Sequence, residues 1–296
     1  MSLRAVLMGL AFALMWSSAF ATARIIVAAA PPLLALSLRF ALSGLVAIAV
    51  ARWLGQSWRL PGGLTGPQGR AVIIFGLCQN ALYLGLNFVA MQSIEASLAA
   101  IIASSMPLIV AGLAWVFRGE KTSVLGLFGL ITGMAGVALI MGTRVQTGAD
   151  PLAIGLCVMG ATALAVATLF VRGATGSGNL LMIVGLQMLV GSVSLGLASV
   201  LTEVPQITFS VPLILAFVYQ AFVPGLAATV LWFSLVGQIG ALRAATFHFL
   251  NPFFGVLIAA ALLGEKIGPW DVVGVVIVMA GILAVQISRQ KPGVAL

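Results

Sequence analysis

Four polar side chains, Gln79, Asn80, Tyr83 and Asn87, interrupt the otherwise apolar run 71–90. In a helix turning about 100° per residue they share one stripe roughly 100° wide, which makes them a candidate wall for a watery cavity. The same groups could instead hydrogen-bond a neighbouring helix. Tyr219 and Gln220 precede Pro224 in the run 211–233, and Trp232 stands near its inner end, where it could also serve as an interfacial anchor. Trp16, Ser17 and Ser18 mark the first run. Polar groups are costly in hydrocarbon and tend to face a bundle interior or an aqueous cavity. Aromatics and amides together suit a zwitterionic, partly apolar solute, held loosely enough to be released.

Arg39 is the one charged residue well inside an apolar run, and its approximate counterpart in the second half is Gln187. A fixed positive charge could hold a carboxylate, bond backbone carbonyls, or snorkel to an interface. His248, the sole histidine, shares a helix face with Asn251 and Ala244. It could carry a proton near neutrality, or stay neutral and bond another helix. All six acids, Glu95, Glu120, Asp150, Glu203, Glu265 and Asp271, fall at run ends or in loops. No carboxylate relay crosses the apolar region. Ser104 or Ser105 with His248 is a nucleophile and base combination that an intramembrane hydrolase could use. It lacks a glycine-bracketed serine and an acid to orient the imidazole, so the expectation is that the chain is not an enzyme. Cys78 and Cys157 lie in apolar runs as small hydrophobes, without metal-binding spacing, and neither a metal nor a cofactor is expected.

These residues sit on a duplicated frame. Pro107 through Gly136 aligns without a gap on Pro252 through Gly281 at a constant offset of 145 residues. Pro107/Pro252, Ala114/Ala259, Gly119-Glu120-Lys121/Gly264-Glu265-Lys266, Gly129/Gly274 and Met134-Ala135-Gly136/Met279-Ala280-Gly281 match. With 62% hydrophobic and 7% charged residues and a mean hydropathy of +1.21, the chain cannot coat a water-soluble globule and belongs in a bilayer. A spanning helix takes about 20 residues. Ten runs of that size fall near 4–23, 33–51, 71–90, 96–117, 122–141, 152–171, 180–201, 211–233, 241–263 and 271–288. The absence of strand alternation makes them helices rather than barrel strands. The expected fold is all-α and polytopic, with ten transmembrane helices in two five-helix repeats, 1–145 and 151–296. Five spans per repeat is odd, so the second repeat enters the membrane in the opposite sense.

The net charge of +8 is scattered over helix ends and forms no nucleic-acid-binding face. With both termini cytoplasmic, ten basic residues lie inside and only Arg24, Arg144 and Lys266 outside, as the positive-inside bias requires. Arg4, an apolar run and Ala19-Phe20-Ala21-Thr22-Ala23 also fit a cleaved signal peptide, but Gly9-Leu10 answers to Gly155-Leu156 near the repeat offset, which favours a retained first span. Pro107 and Pro252 should free the carbonyls of Ala103 and His248 and kink two spans, either as cavity lining or as plain packing kinks. The Gly119-Glu120 and Gly264-Glu265 ends read as hairpin caps, the glycine closing one helix and the acid favouring the next helix's N-terminus. A gate or hinge is the alternative role.

Two five-span repeats, each closing with Pro, then Gly-Glu-Lys, then a Gly-rich helix, resemble the EamA branch of the drug/metabolite transporter superfamily over essentially the whole chain. Trp16-Ser17-Ser18-Ala19-Phe20 is similar to that family's Trp-Gly-x-x-Phe element, with serine where glycine is usual, and Arg39-Phe40 looks like the arginine carried there. Among members the chain looks most like YddG-type amino-acid exporters. The resemblance implies export of amino acids or similar metabolites across a bacterial inner membrane, by alternating access at a central cavity between the repeats. Expected partners are a small-molecule substrate and membrane lipid, with no nucleic acid, and the protein is expected to act as a monomer. A passive pore is the runner-up and an intramembrane enzyme the remotest reading.

Overall fold

Lipid supplies no hydrogen-bond partners, so a chain this apolar must satisfy its backbone internally. The computed structural model describes residues 2–60, 62–119, 123–170, 179–239 and 244–290, and among them the regular structure is helical throughout. The helices are α1 Leu3–Val27, α2 Pro32–Trp53, α3 Pro67–Ala90, α4 Ala96–Phe117, α5 Val124–Gln146, α6 Pro151–Phe170, α7 Leu180–Thr202 and α8 Val211–Ile239. A tighter turn, Ala245–Leu250, leads into Asn251–Leu263 to form α9, and α10 is Pro269–Gln290. Among the described residues nine helices are long and apolar enough to cross a membrane, and α9 is a shorter apolar tenth. The protein is a multi-pass, all-α membrane protein whose helices fall on the ten expected runs.

The chain separates into two compact units that do not follow the repeat boundaries. The first comprises Met1–Ala21, Ser93–Ile154 and Ala227–Leu296, and the second comprises Thr22–Gln92 and Gly155–Leu226. Each unit therefore takes helices from both repeats. In the first, α5 packs on its repeat equivalent α10 through glycines. A Cβ on Gly281 would stand 2.4 Å from the Gly133 Cα, one on Gly129 2.8 Å from the Gly281 carbonyl, and one on Gly136 3.1 Å from that of Gly274. In the second, α2 packs on its equivalent α7. Gly44 and Gly185 approach each other's carbonyls to 3.0 Å, measured from ideal Cβ positions. Two turns along the same faces, Ser37 Oγ donates to the Ser192 carbonyl at 2.8 Å and Ser192 Oγ to the Ser37 carbonyl at 2.9 Å. In both pairs numbering rises along one helix as it falls along the other. Equivalent helices thus run antiparallel, as an inverted repeat requires.

Acids close the helix ends. The Glu265 carboxylate accepts from the Ala96 and Ser97 amides at 2.7 and 3.0 Å, capping α4. Glu203 accepts from Leu33 and Leu34 at 2.8 and 2.9 Å, capping α2. An anion in this position stabilises a helix N-terminus by about 1 kcal/mol. The sequence reading had Glu265 serving the next helix. In the fold it serves α4, because Asp271 already accepts from the Gly268 amide at 2.8 Å at the start of α10. Beside it, Arg144 donates from Nε and Nη2 to the two Asp271 oxygens at 3.0 and 2.8 Å, and from Nη1 to Glu95. Burial, reinforced by Glu265 and Asp271 and opposed by Arg144, raises the Glu95 pKa above its ordinary 4.5.

Two outcomes follow for stability. Gly281→Ala should lower the melting temperature in detergent by several degrees, since its methyl would meet the Gly133 backbone. Gly142→Ala, with open space around it, should leave the melting temperature unchanged or slightly higher. At the ion cluster, a raised folded pKa means that Glu95 favours the protonated fold. Its contribution is full below pH 4.5 and is lost as pH rises through the raised value. Glu95→Gln should therefore melt no lower than the parent at neutral pH and lose that pH-dependent fall. Asp271→Asn should destabilise at neutral pH by roughly 3 kcal/mol, the low end for breaking a buried pair, because it leaves a mostly buried guanidinium with Glu95 as its one acid. Melting scans from pH 4 to 8 on the three proteins check both statements.

Candidate functional site

The first unit gathers polar and aromatic residues from α1, α8 and α9. Phe12 and Trp16, one turn apart on α1, have ring centroids 5.8 Å apart. Phe12 also lies 4.7 Å from the Trp232 ring of α8 and presents its ring at 86° to His248 of α9, 5.3 Å away. Trp232 and His248 meet edge to face at 5.0 Å. Gly9 makes room one turn below Phe12, because any side chain there would collide with the Phe247 ring. Ser17 Oγ donates to the Asn251 carbonyl at 3.3 Å, tying α1 to the start of the α9 helix. Asn251 Nδ2 lies 3.0 Å from His248 Nδ1. An amide nitrogen donates, so Nδ1 accepts and the neutral ring keeps its proton on Nε2. Asn251 is 5% exposed, and its Oδ1 accepts no hydrogen bond. Trp16, Ser17, Trp232, His248 and Asn251, separated by more than two hundred residues at the extremes, form one aromatic-walled polar group.

The α3 residues do something else, and they belong to the second unit. Gly76–Leu84 is π-helical, with each bond closing five residues back. Every residue there turns through less than the usual helical angle, so the stripe drawn at 100° per residue divides. Asn80 faces α7, where its Nδ2 donates to the Gln187 carbonyl at 2.9 Å and its Cβ fills the space left by Gly191. Tyr83 and Asn87 lie toward α6, against Gly160. The Asn87 Nδ2 donates to the Tyr83 carbonyl at 2.7 Å, while its buried Oδ1 has no partner. Tyr83 is only 2% exposed and Gln79 is half-buried. Tyr219, at 36% exposure, and buried Gln220 stand where α8 enters its own π-helical segment, Ala221–Ala227, around Pro224. Arg39 is also in this unit, buried on α2.

Among the proposed hinge residues, Gly119 and Gly264 take nearly the same left-handed conformation, φ 61° and 68°, at the ends of α4 and α9. Glycine is favoured there because a Cβ would strain that backbone. Glu120 lies outside the described residues. Pro107 and Pro252 both sit in the first turn of a restarted helix, Met106–Arg118 and Asn251–Leu263, where a missing N–H is harmless. At the second break the chain tightens and the Asn251 N–H bonds the His248 carbonyl, while at the first the Ser105 N–H goes to the Ile102 carbonyl at 3.1 Å. Ser104 and Ser105 donate to the Ala100 and Ile102 carbonyls at 2.6 Å, so neither hydroxyl is bonded to His248. Phe12, absent from the sequence-derived candidates, completes the aromatic group. Its signal was the four-residue spacing to Trp16.

Comparison with known proteins gives this geometry a family. Residues 3–142 and 151–287 each match the EamA-like transporter family. An uncharacterized transporter YvbV of Bacillus subtilis is 26% identical over 92% of this chain and 88% of its own length. The uncharacterized inner membrane transporter YedA of Escherichia coli K12 is 27% identical over the same shares. A probable amino-acid metabolite efflux pump of Salmonella typhimurium is 36% identical, but over only 26% of this chain and 25% of its own. A solved crystal structure shares the fold with a TM-score of 0.66 at 21% identity, spanning 97% of this chain and 99% of that one. Both halves carry the family pattern, both fold as five helices, and equivalent helices pair head to tail: the chain belongs to the EamA-like transporter family, within the drug/metabolite transporters.

Proposed function

We propose that this protein is a secondary transporter that exports amino acids or related small metabolites across a bacterial inner membrane by alternating access. The solute chamber is built from helices of both repeats. The observation that carries the reading is the group formed by Trp16, Ser17, Trp232, His248 and Asn251. Rings from both repeats wall a polar spot whose buried amide oxygen, Asn251 Oδ1, has no donor. A buried acceptor left unpaired costs about 1–3 kcal/mol, which a solute ammonium or N–H recovers on binding. Aromatic faces attract such a cation and also shelter an apolar side chain. The neutral amides and the single histidine leave the site without a fixed negative charge. That suits a solute carrying its own carboxylate and released after each cycle.

Membership of a transporter family supports movement of a small solute rather than chemistry upon it. YedA's name as an inner membrane transporter and the Salmonella relative's name as an amino-acid metabolite efflux pump support the location and the solute class. The bias of ten basic residues to three supports cytoplasmic termini.

Purified protein in liposomes should show counterflow of at least one amino acid in a panel run with and without a pH gradient, with saturation at high solute. Trp232→Ala should lower that flux about tenfold or more, the effect of removing a buried aromatic anchor, while folded yield stays near the parent's. Tyr83→Ala, which empties a packed contact between α3 and α6, should instead reduce folded yield. Full flux in Trp232→Ala, or flux that rises without saturation, would contradict the reading.

A further inference from the structure

Among the described residues, the second unit contains a buried cation without a counter-ion. Arg39 is 5% exposed, its Nε has no partner, and its one described contact is a stacking of the guanidinium carbon 4.9 Å from the centre of the adjacent Phe40 ring. The unit's segments, Thr22–Gln92 and Gly155–Leu226, contain one acid, Glu203. That carboxylate is committed to the amides of Leu33 and Leu34 and to the Ser199 hydroxyl at 2.7 Å. An arginine stays charged under all physiological conditions. Leaving such a charge buried and uncompensated is among the most unfavourable arrangements a protein can hold.

The backbone of α8 passes beside the guanidinium. Gly225, in the π-helical segment of α8, faces the guanidinium: a Cβ there would lie 3.6 Å from Arg39 Nη2 and 3.7 Å from Ser43 Oγ. The nearest atom to that position is the Gln220 carbonyl at 3.1 Å, so glycine here lets the backbone of α8 come close beside Nη2. Ser43, fully buried one turn beyond Arg39, donates to the Ala221 carbonyl at 3.0 Å. That bond holds α2 against the irregular stretch of α8 that carries Gly225. The planar fork of an arginine matches a carboxylate with two parallel hydrogen bonds.

We propose that Arg39 is an anion-binding residue that takes the carboxylate of the transported solute, with Gly225 letting α8 come close beside the guanidinium and Ser43 fixing α8 in that position. The inference rests on the transport reading for the identity of the anion and stands on the geometry of the second unit for its site.

The test measures binding by the purified full chain in phosphatidylcholine nanodiscs, read as a melting-temperature shift. The probes are L-phenylalanine, L-methionine and L-alanine, their carboxamides as hydrochlorides, and sodium chloride matched in chloride. At least one amino acid should stabilise the parent saturably, while its carboxamide and chloride do not. Arg39→Gln should weaken that response at least about 30-fold, the smallest loss expected when one member of a buried charge pair is removed. Without ligand it should melt as high as the parent or higher, since an uncompensated charge has gone. A purely structural arginine would give the opposite ligand-free result. Gly225→Ala, which places a methyl beside Nη2, should also weaken the response, and it decides the matter if Arg39→Gln does not fold.

An equal shift with acid and amide, with chloride alone, or with none of the amino acids overturns the proposal. So does an undiminished response in the variants, a lower ligand-free melting temperature in Arg39→Gln, or stabilisation that requires phosphatidylglycerol, which would assign the charge to a lipid phosphate. Counterflow that persists in the same preparation after any of these results leaves the transport reading standing, so the two fail separately.

Discussion

Backbone-to-backbone approach between repeat-equivalent helices is the contact on which the rest of this molecule depends. In a bilayer, apolar side chains gain little by leaving lipid for protein, so association rests on close packing and on hydrogen bonds between helices. α5 meets α10 through Gly129, Gly133, Gly136, Gly274 and Gly281, and α2 meets α7 through Gly44 and Gly185 with two reciprocal serine bonds. A duplicated and inverted chain makes such contacts economically, because a helix that suits its own antiparallel copy supplies both halves of the interface. The consequence is that neither repeat forms a compact unit by itself. Each unit is assembled from pieces of both.

Regular pairs leave the irregular backbone to the other helices. α3 and α8 contain π-helical stretches, and α4 and α9 break before a proline. Non-helical backbone is tolerated at membrane depth only where protein or a cavity satisfies it. Before Pro252 the tightened turn takes up the His248 carbonyl that proline would strand. The charged groups are sorted with equal economy. Glu203, Glu265, Asp271 and Glu95 close helix ends or pair with Arg144. Among the described residues, the buried polar atoms left without a hydrogen bond include Arg39 Nε and Asn87 Oδ1 in the second unit and Asn251 Oδ1 in the aromatic-walled group of the first.

Much of the architecture was legible in the sequence because membrane spans depend on local composition and because the repeat offset is fixed. The αL glycines 119 and 264, the restarts at Pro107 and Pro252, and the ten apolar helices were all visible as residue types at set positions. The grouping of Trp16 and Ser17 with His248 and Asn251 was less accessible, since it depends on which helices adjoin. Two readings changed for physical reasons. The single stripe on α3 assumed an even helical turn, and the π-helical stretch sends Asn80 to α7 and Tyr83 to α6. The capping partner of Glu265 was sought nearby in the chain, yet it is α4, at a separation of 169 residues. The spacing of Gly129 and Gly133 was the one unread signal of the close α5 and α10 contact.

Alternation of access is best tested at a residue of the aromatic-walled group that a reagent can report from each face. In a protein with Cys78 and Cys157 replaced by alanine, a cysteine introduced at Ser17 would be exposed to a membrane-impermeant maleimide added to one side or the other of oriented vesicles. The account predicts modification from both faces, with a transported solute shifting the two rates in opposite directions. Modification from one face only, with and without solute, or rates that rise and fall together, would contradict it.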